Sequence, residues 1–249
     1  MNKYENELDE ILFDVLNASK KINIKLWLEA GTLLGFEREN NYIKWEKDLD
    51  LGVWDKDLKK KKYVLFKKIL ERKNYLVTKK FNNSNNLITI RKFNLNCNAD
   101  IAIYTKKGNF AYFKLKPIPI YTKGKFFKRI YNLIKAKDIF NELKFHKFGI
   151  TKIIYIIFHY LFKCLAALNL SNNFIKYLKK KISINSKDVS WKVPLKFLKK
   201  IKKKKFRNLV VYVPVKSIDY LKFRYGKTWK KPRSDWNQFK EDKTMLDLK

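Results

Sequence analysis

The sequence predicts an α/β protein, a mixed sheet flanked by helices. Segments with apolar residues at helical spacing alternate with short β-branched or aromatic runs. A small-residue stretch, Gly31-Thr32-Leu33-Leu34-Gly35, directly follows a strand-like run and opens a helical one. A further strand carries Asp48-Leu49-Asp50, with Glu46 two residues before it and Gly52 two after.

The elements follow in order. Residues 4–21 predict a helix with Leu8, Ile11, Leu12, Val15 and Leu16 inward and the acids outward. Residues 24–28 predict the first strand, 31–38 a short helix and 48–54 the second strand. Residues 56–74 predict a helix with Leu58, Val64, Leu65, Ile69 and Leu70 inside and a solvated lysine face. Residues 75–80, 87–93 and 98–104 predict three more strands, with an Asn/Ser turn at 82–86 between the first two. Residues 110–121 read as strand and connector, which Pro117 and Pro119 confine to an edge.

Residues 126–182 nearly lack Gly and Pro and predict a helical insertion within a single domain spanning 1–249. Their most apolar run, 153–170, is near the lower length limit for a bilayer span. Lys163 inside it would cost about 2.5–3.5 kcal/mol near a bilayer centre. A buried helix, or one lying in a membrane interface, is the expectation. The basic run 199–205 reads as a solvated loop or helix end. Residues 209–213 predict a strand stopped by Pro214, and Ser217 an N-cap for a helix that Gly226 ends.

The chemistry concentrates at residues 26–54. In an extended strand alternate side chains share a face, so Glu46, Asp48 and Asp50 project together. Carboxylates that close repel unless a cation joins them or one is protonated. Oxygen donors of this kind suit Mg²⁺ or Mn²⁺. The Gly31–Gly35 turn offers backbone N–H groups and a helix N-terminus to phosphate. Thr32 reads either as a helix cap or as a phosphate contact. Arg38 reads as a phosphate ligand or as a partner of Glu37, Glu39 or a site acid. Asp100 sits in an otherwise apolar run, where a lone carboxylate is costly unless paired or metal-bound. It is the expected third acid, with Arg91 as its alternative salt-bridge partner.

These residues carry a family resemblance. Gly31, Thr32, Leu33, Leu34, Gly35, Arg38, Ile43, Trp45, Asp48, Asp50 and Gly52 resemble the LicD signature, that of bacterial phosphocholine transferases and of the domains of fukutin and fukutin-related protein. Lys44 stands where that family often has Pro, and Glu46 where it often has Asp. The resemblance returns at Val213, Pro214, Tyr220, Leu221, Arg224, Tyr225, Gly226, Trp229 and Pro232. It implies a nucleotidyltransferase-like fold, with Asp100 supplied by a later strand. It also implies transfer of a phospho-alcohol from a CDP-linked donor to a sugar hydroxyl of a glycan or lipid-linked saccharide. Asp100 or Glu46 is then the candidate general base. A nucleotidyltransferase releasing pyrophosphate and a non-enzymatic basic binding protein are the alternatives.

The net charge of +35, from 58 basic and 23 acidic residues, favours anionic partners, including an anionic membrane surface. No zinc-finger, RNP-type or helix-turn-helix pattern ties that charge to nucleic acid. Two distant cysteines, Cys97 and Cys164, imply no disulfide framework. The acidic, amphipathic start lacks the basic and apolar regions of a signal peptide, so the expected location is cytoplasmic, peripheral at the inner membrane face. His146 and His159, the only histidines, have no partners at metal-ligand spacing and read as packed or surface residues.

Overall fold

The computed structural model describes residues 3–79, 86–119, 171–184 and 186–247, with scattered positions between 127 and 164. The chain divides into two compact units, one from residues 1–115 and 189–247, the other from 116–188. In order the elements are α1 (Glu5–Lys21), β1 (Trp27–Leu28), α2 (Ala30–Glu39), β2 (Asp48–Trp54), α3 (Lys60–Glu71), β3 (Tyr75–Lys79), β4 (Leu87–Lys92), β5 (Asn98–Lys107) and β6 (Phe110–Pro119). Then come α4 (Ser171–Ile184), β7 (Ser186–Pro194), β8 (Ile201–Phe206), β9 (Leu209–Pro214), α5 (Ser217–Tyr225) and β10 (Met245–Asp247), with single helical turns at Leu195–Leu198 and Gln238–Glu241.

Among the described residues the strands form one mixed sheet in the order β10-β7-β6-β5-β2-β1-β9-β8, with β4 also on β5 and β3 on β4. β2 and β5 run parallel at its centre, and β1 joins β2 antiparallel and β9 parallel. The centre is apolar on one face: Leu49, Leu51, Val53, Ala99 and Ile101 are fully buried. The expected strand at 24–28 shortens to Trp27 and Leu28, both fully buried. The Trp27 indole lies against Gly52, where a Cβ would come within 2.3 Å of the ring.

α1 buries Leu8, Ile11, Leu12 and Val15 as expected, but two of its acids turn inward as well. Asp14 accepts from the Tyr75 hydroxyl at 3.0 Å and pairs with Lys73, and Glu5 pairs with Arg207 at 3.1 Å. Burial is tolerable because each has a charged partner. α3 is rotated from its expected phase. Tyr63, Phe66 and Leu70 face inward, and Val64 and Leu65 are exposed.

The lysine run is not a loop. Lys202–Lys205 form β8, an edge strand paired antiparallel with β9, and all four lysines are exposed. Charge on such an edge discourages pairing with another chain. β6 is interior to the strand order; its pairing with β5 runs through Phe110–Tyr112, ahead of Pro117 and Pro119. Ser217 is the first residue of α5 rather than its cap, and its hydroxyl donates to Glu37. Gly226, at φ +86°, ends that helix.

In the second unit, α4 buries Leu178, and Phe174 stacks on Tyr177 at 6.3 Å. His159 is buried with its ring 5.4 Å from Tyr160. Ile153, Ile157 and Leu161 are exposed at four-residue spacing. Most of the rest of 153–170, His146, most of the 126–182 insertion and most of the turn at 82–86 lie outside the described residues. Among the described residues no helix is long and apolar enough to cross a membrane.

Candidate active site

The register of β2 and β5 builds the site. Asp48 lies opposite Asn98, and Asp50 opposite Asp100. Strand alternation therefore puts Asp48, Asp50 and Asp100 on one face, away from the buried leucines. Glu46, just before β2, joins them in a cleft of about 370 Å³ within the first unit.

The start of α2 fixes this floor. Gly31 N–H donates to Asp50 Oδ2 at 3.0 Å, Asp50 N–H donates to Thr32 Oγ1 at 2.8 Å, and Glu29 N–H donates to the Asp50 carbonyl at 2.9 Å. Between them Ala30 takes a left-handed conformation, φ +42°, to turn the chain into the helix. Gly31 lies under Glu46, whose Oε2 would stand 2.3 Å from a Cβ there. Gly35 lies against the Asn41 carbonyl, which a Cβ would approach to 2.4 Å. The expected phosphate role of Gly31, Thr32 and Gly35 thus gives way to another. The Gly31 N–H and the Thr32 hydroxyl are taken up by Asp50. Thr32 lies inside the helix, not at its cap, and neither Thr32 nor Gly35 lines the cleft.

Electrostatics show how tightly the acids are grouped. Burial, then the Asp48 charge, pushes Glu46 up to about 7 against the pull of Arg38. Burial, then Asp48, Glu46 and Asp100, holds Asp50 well above the usual carboxylate range. Burial also raises Asp100, opposed by a hydrogen bond with Thr89; the Asp48 charge adds to the rise and Arg91 opposes it. One Asp100 oxygen, Oδ1, is buried with no hydrogen-bond partner.

Arg38 lies beside these acids. Its side chain is 5% exposed, its Nη2 is 3.5 Å from Glu39, and its Nε is buried without a partner. Trp45 and Ile43 flank it; Tyr104, Phe113 and Trp191 form an apolar wall, and Tyr225, Trp229 and Trp236 another.

The donor set is chemically right for a hard divalent cation: four carboxylates, mutually repelling, one with an unsatisfied oxygen. Among the described residues no three acid, imidazole or thiol side chains converge closely enough to hold a metal by themselves.

One group was missed from sequence. Glu29, 2% exposed, accepts from Trp27 Nε1 at 2.8 Å, from Arg224 Nη1 at 3.0 Å and from the Tyr220 hydroxyl. Arg224 also binds buried Asp242, as does Trp191 Nε1, both at 3.0 Å. Glu29 and Arg224 line the cleft, but their polar groups are engaged with each other and with Asp242, so the network braces the wall. The available signal was a carboxylate directly after the apolar run Leu26–Leu28, the same signal that marked Asp100.

Residues 23–148 match the family model described as "LicD/FKTN/FKRP, nucleotidyltransferase domain". Human "Ribitol-5-phosphate transferase FKTN" is 39% identical over 57 residues, 23% of this chain and 12% of that protein. An uncharacterised protein of Rickettsia prowazekii (strain Madrid E) is 40% identical over 50 residues, 20% of this chain and 19% of that one. Terminal uridylyl transferase 4 from Trypanosoma brucei with bound GTP superposes with TM-score 0.31 at 14% identity, over 44% of this chain and 32% of that one. ANT(2")-Ia in complex with adenylyl-2"-tobramycin gives 0.30 at 10% identity, over 70% and 95%. The sequence matches span under a fifth of the length of these relatives. With the family model covering residues 23–148, from the strand before α2 past both acid-bearing strands, the chain belongs to the LicD/FKTN/FKRP nucleotidyltransferase-domain family.

Proposed function

We propose that the cleft transfers a phospho-alcohol, phosphocholine or an alditol phosphate, from a CDP-linked donor to a sugar hydroxyl of a surface glycan or lipid-linked saccharide. The observation that carries this reading is the Asp50–Asp100 register, which groups four carboxylates on one cleft floor beside Arg38. Membership of the family supports it, as does a human relative named a ribitol-5-phosphate transferase.

Glu46, Asp48, Asp50 and Asp100 would hold Mg²⁺ or Mn²⁺. Such an ion, when bound, neutralises the donor diphosphate and the charge that builds during displacement. Arg38 presents a charged, desolvated N–H to a phosphate oxygen. The Gly31 N–H and Thr32 hydroxyl keep Asp50 in place. The acceptor hydroxyl oxygen bonds to the phosphorus bearing the alcohol, the bridging P–O bond breaks, and CMP leaves. Asp100 or Glu46 takes the hydroxyl proton; a carboxylate poised near neutrality is suited to that step. With donor and acceptor bound, the apolar walls would limit the water that competes as acceptor.

The test is nucleotide release from CDP-choline, CDP-ribitol and CDP-glycerol with a saccharide acceptor and Mg²⁺ or Mn²⁺. CMP is expected from one donor, and no CMP from any of them would overturn the reading. The second reading is a nucleotidyltransferase, favoured by the wording of the family's own description. It would release pyrophosphate from a nucleoside triphosphate, and product analysis separates the two.

The exposed stripe Ile153, Ile157 and Leu161 and the high positive charge support peripheral attachment to an anionic membrane face. Sedimentation with anionic liposomes at low salt tests this; a protein that stays in the supernatant rules it out.

A further inference from the structure

Among the described residues, three buried side-chain polar atoms have no hydrogen-bond partner: Asp100 Oδ1, Arg38 Nε and Trp236 Nε1. All three residues line the same cleft. Buried polar groups without partners are rare in folded proteins and each is unfavourable. One acceptor and two donors without partners at one cleft mark it as a place for a polar ligand.

Asp100 and Arg38 already belong to the proposed reaction. Trp236 does not, and it lies far outside the segment that matches the family, residues 23–148. Its ring packs against Tyr225 at 4.7 Å between centroids. Both rings line the cleft together with Asp50 and Glu46. Two arginines of this wall are already paired. Arg224 is held by Glu29 and Asp242, and Arg233 by Asp235 and Glu241.

An indole N–H and an arginine Nε–H can only donate. Each needs an acceptor. A nucleobase edge mixes donors and acceptors, and a sugar hydroxyl does both. A phosphate oxygen only accepts, and it brings the charge that Arg38 favours. We propose that Trp236 is a ligand-binding residue whose Nε1–H donates to a phosphate oxygen of the donor diphosphate. The C-terminal segment then closes the diphosphate site that the family-matched segment leaves open. The inference deepens the proposed reaction and rests on a phosphate-bearing ligand occupying the cleft.

The test is isothermal titration of the full chain with pyrophosphate and, separately, with CDP, each with Mg²⁺. Trp236→Phe keeps the ring against Tyr225 and removes only the N–H. It should weaken pyrophosphate binding roughly ten- to 150-fold, the value of one hydrogen bond to a charged group. The ligand-free variant should unfold at or above the wild-type temperature, because a buried unpaired donor has been removed. If CDP binds and is weakened alike, the donor reading stands as well. If pyrophosphate is weakened while CDP does not bind, the cytidine donor is wrong and the phosphate contact stands. Undiminished pyrophosphate binding by Trp236→Phe would overturn the inference, as it would if water alone satisfied the N–H. So would absence of pyrophosphate binding by the wild type, or loss of affinity accompanied by loss of cooperative unfolding.

Discussion

Replacing Glu46 with Gln should make the protein more stable and less active, and pH separates the two effects. Glu46 is raised from 4.5 to about 7 in the folded protein, by burial first and by Asp48 second. The folded state therefore holds its proton more tightly than the unfolded chain does. Its contribution to stability is complete below about pH 4.5 and is lost as pH rises towards 7. A rise of this size corresponds to about 3 kcal/mol once the group is ionised in both states. The cleft opens to solvent, so screening reduces this to about 2 kcal/mol. Glutamine mimics the protonated form at every pH. The variant should match wild type at pH 4.5 and melt higher at pH 8, by roughly 4–8 °C for a chain of this size. The assay is thermal unfolding by circular dichroism in EDTA from pH 4.5 to 8. Background charge effects are common to both proteins and cancel in the difference. Under the proposed chemistry, Mg²⁺ at pH 8 should narrow the gap by neutralising the wild-type acid. Parallel melting curves across the range, or a variant that melts lower at pH 8, would refute the electrostatic argument.

Three further outcomes are expected. Asp48→Ala should leave the far-UV spectrum unchanged and lower turnover by more than the roughly hundredfold typical of outer-shell partners of a metal; near-wild-type turnover would remove Asp48 from the site. Gly52→Ala and Gly31→Ala should differ in kind. The first drives a methyl into the fully buried Trp27 ring and should cost about 1–3 kcal/mol in urea unfolding. The second meets only the movable end of Glu46, and should preserve stability while lowering turnover. Arg224→Met leaves Glu29 and Asp242 buried without their shared cation and should cost about 3–5 kcal/mol. A small loss there would mean that the network braces nothing.

The acid floor was legible in the sequence because its signals are local. The two-residue spacing of Asp48 and Asp50 needs only a strand to become one face. Asp100 stood out as a charge in an apolar run, and the register with β2 places it opposite Asp50. What failed depends on distant neighbours. Gly31 and Thr32 have the composition of a phosphate loop, but Asp50, 19 and 18 residues on, engages Gly31 through its carboxylate and Thr32 through its backbone N–H. The Glu29–Arg224 pair spans 195 residues and leaves no periodic trace. β8 was hidden because an edge strand exposes both faces, so its lysines show no alternation. In α3 two adjacent apolar pairs were available to point inward, and packing selected the phase with Tyr63 and Phe66.

The bridge from Glu29 through Arg224 to Asp242 also bears on the order of synthesis. The guanidinium is made 195 residues after the carboxylate that needs it. Until then the emerging chain carries an acid at the root of α2 that must stay hydrated, and the first helix of the cleft cannot seat. A fragment limited to residues 23–148 would be left in that unfinished condition. Work on the isolated family-matched segment would therefore examine a half-assembled cleft rather than a smaller enzyme.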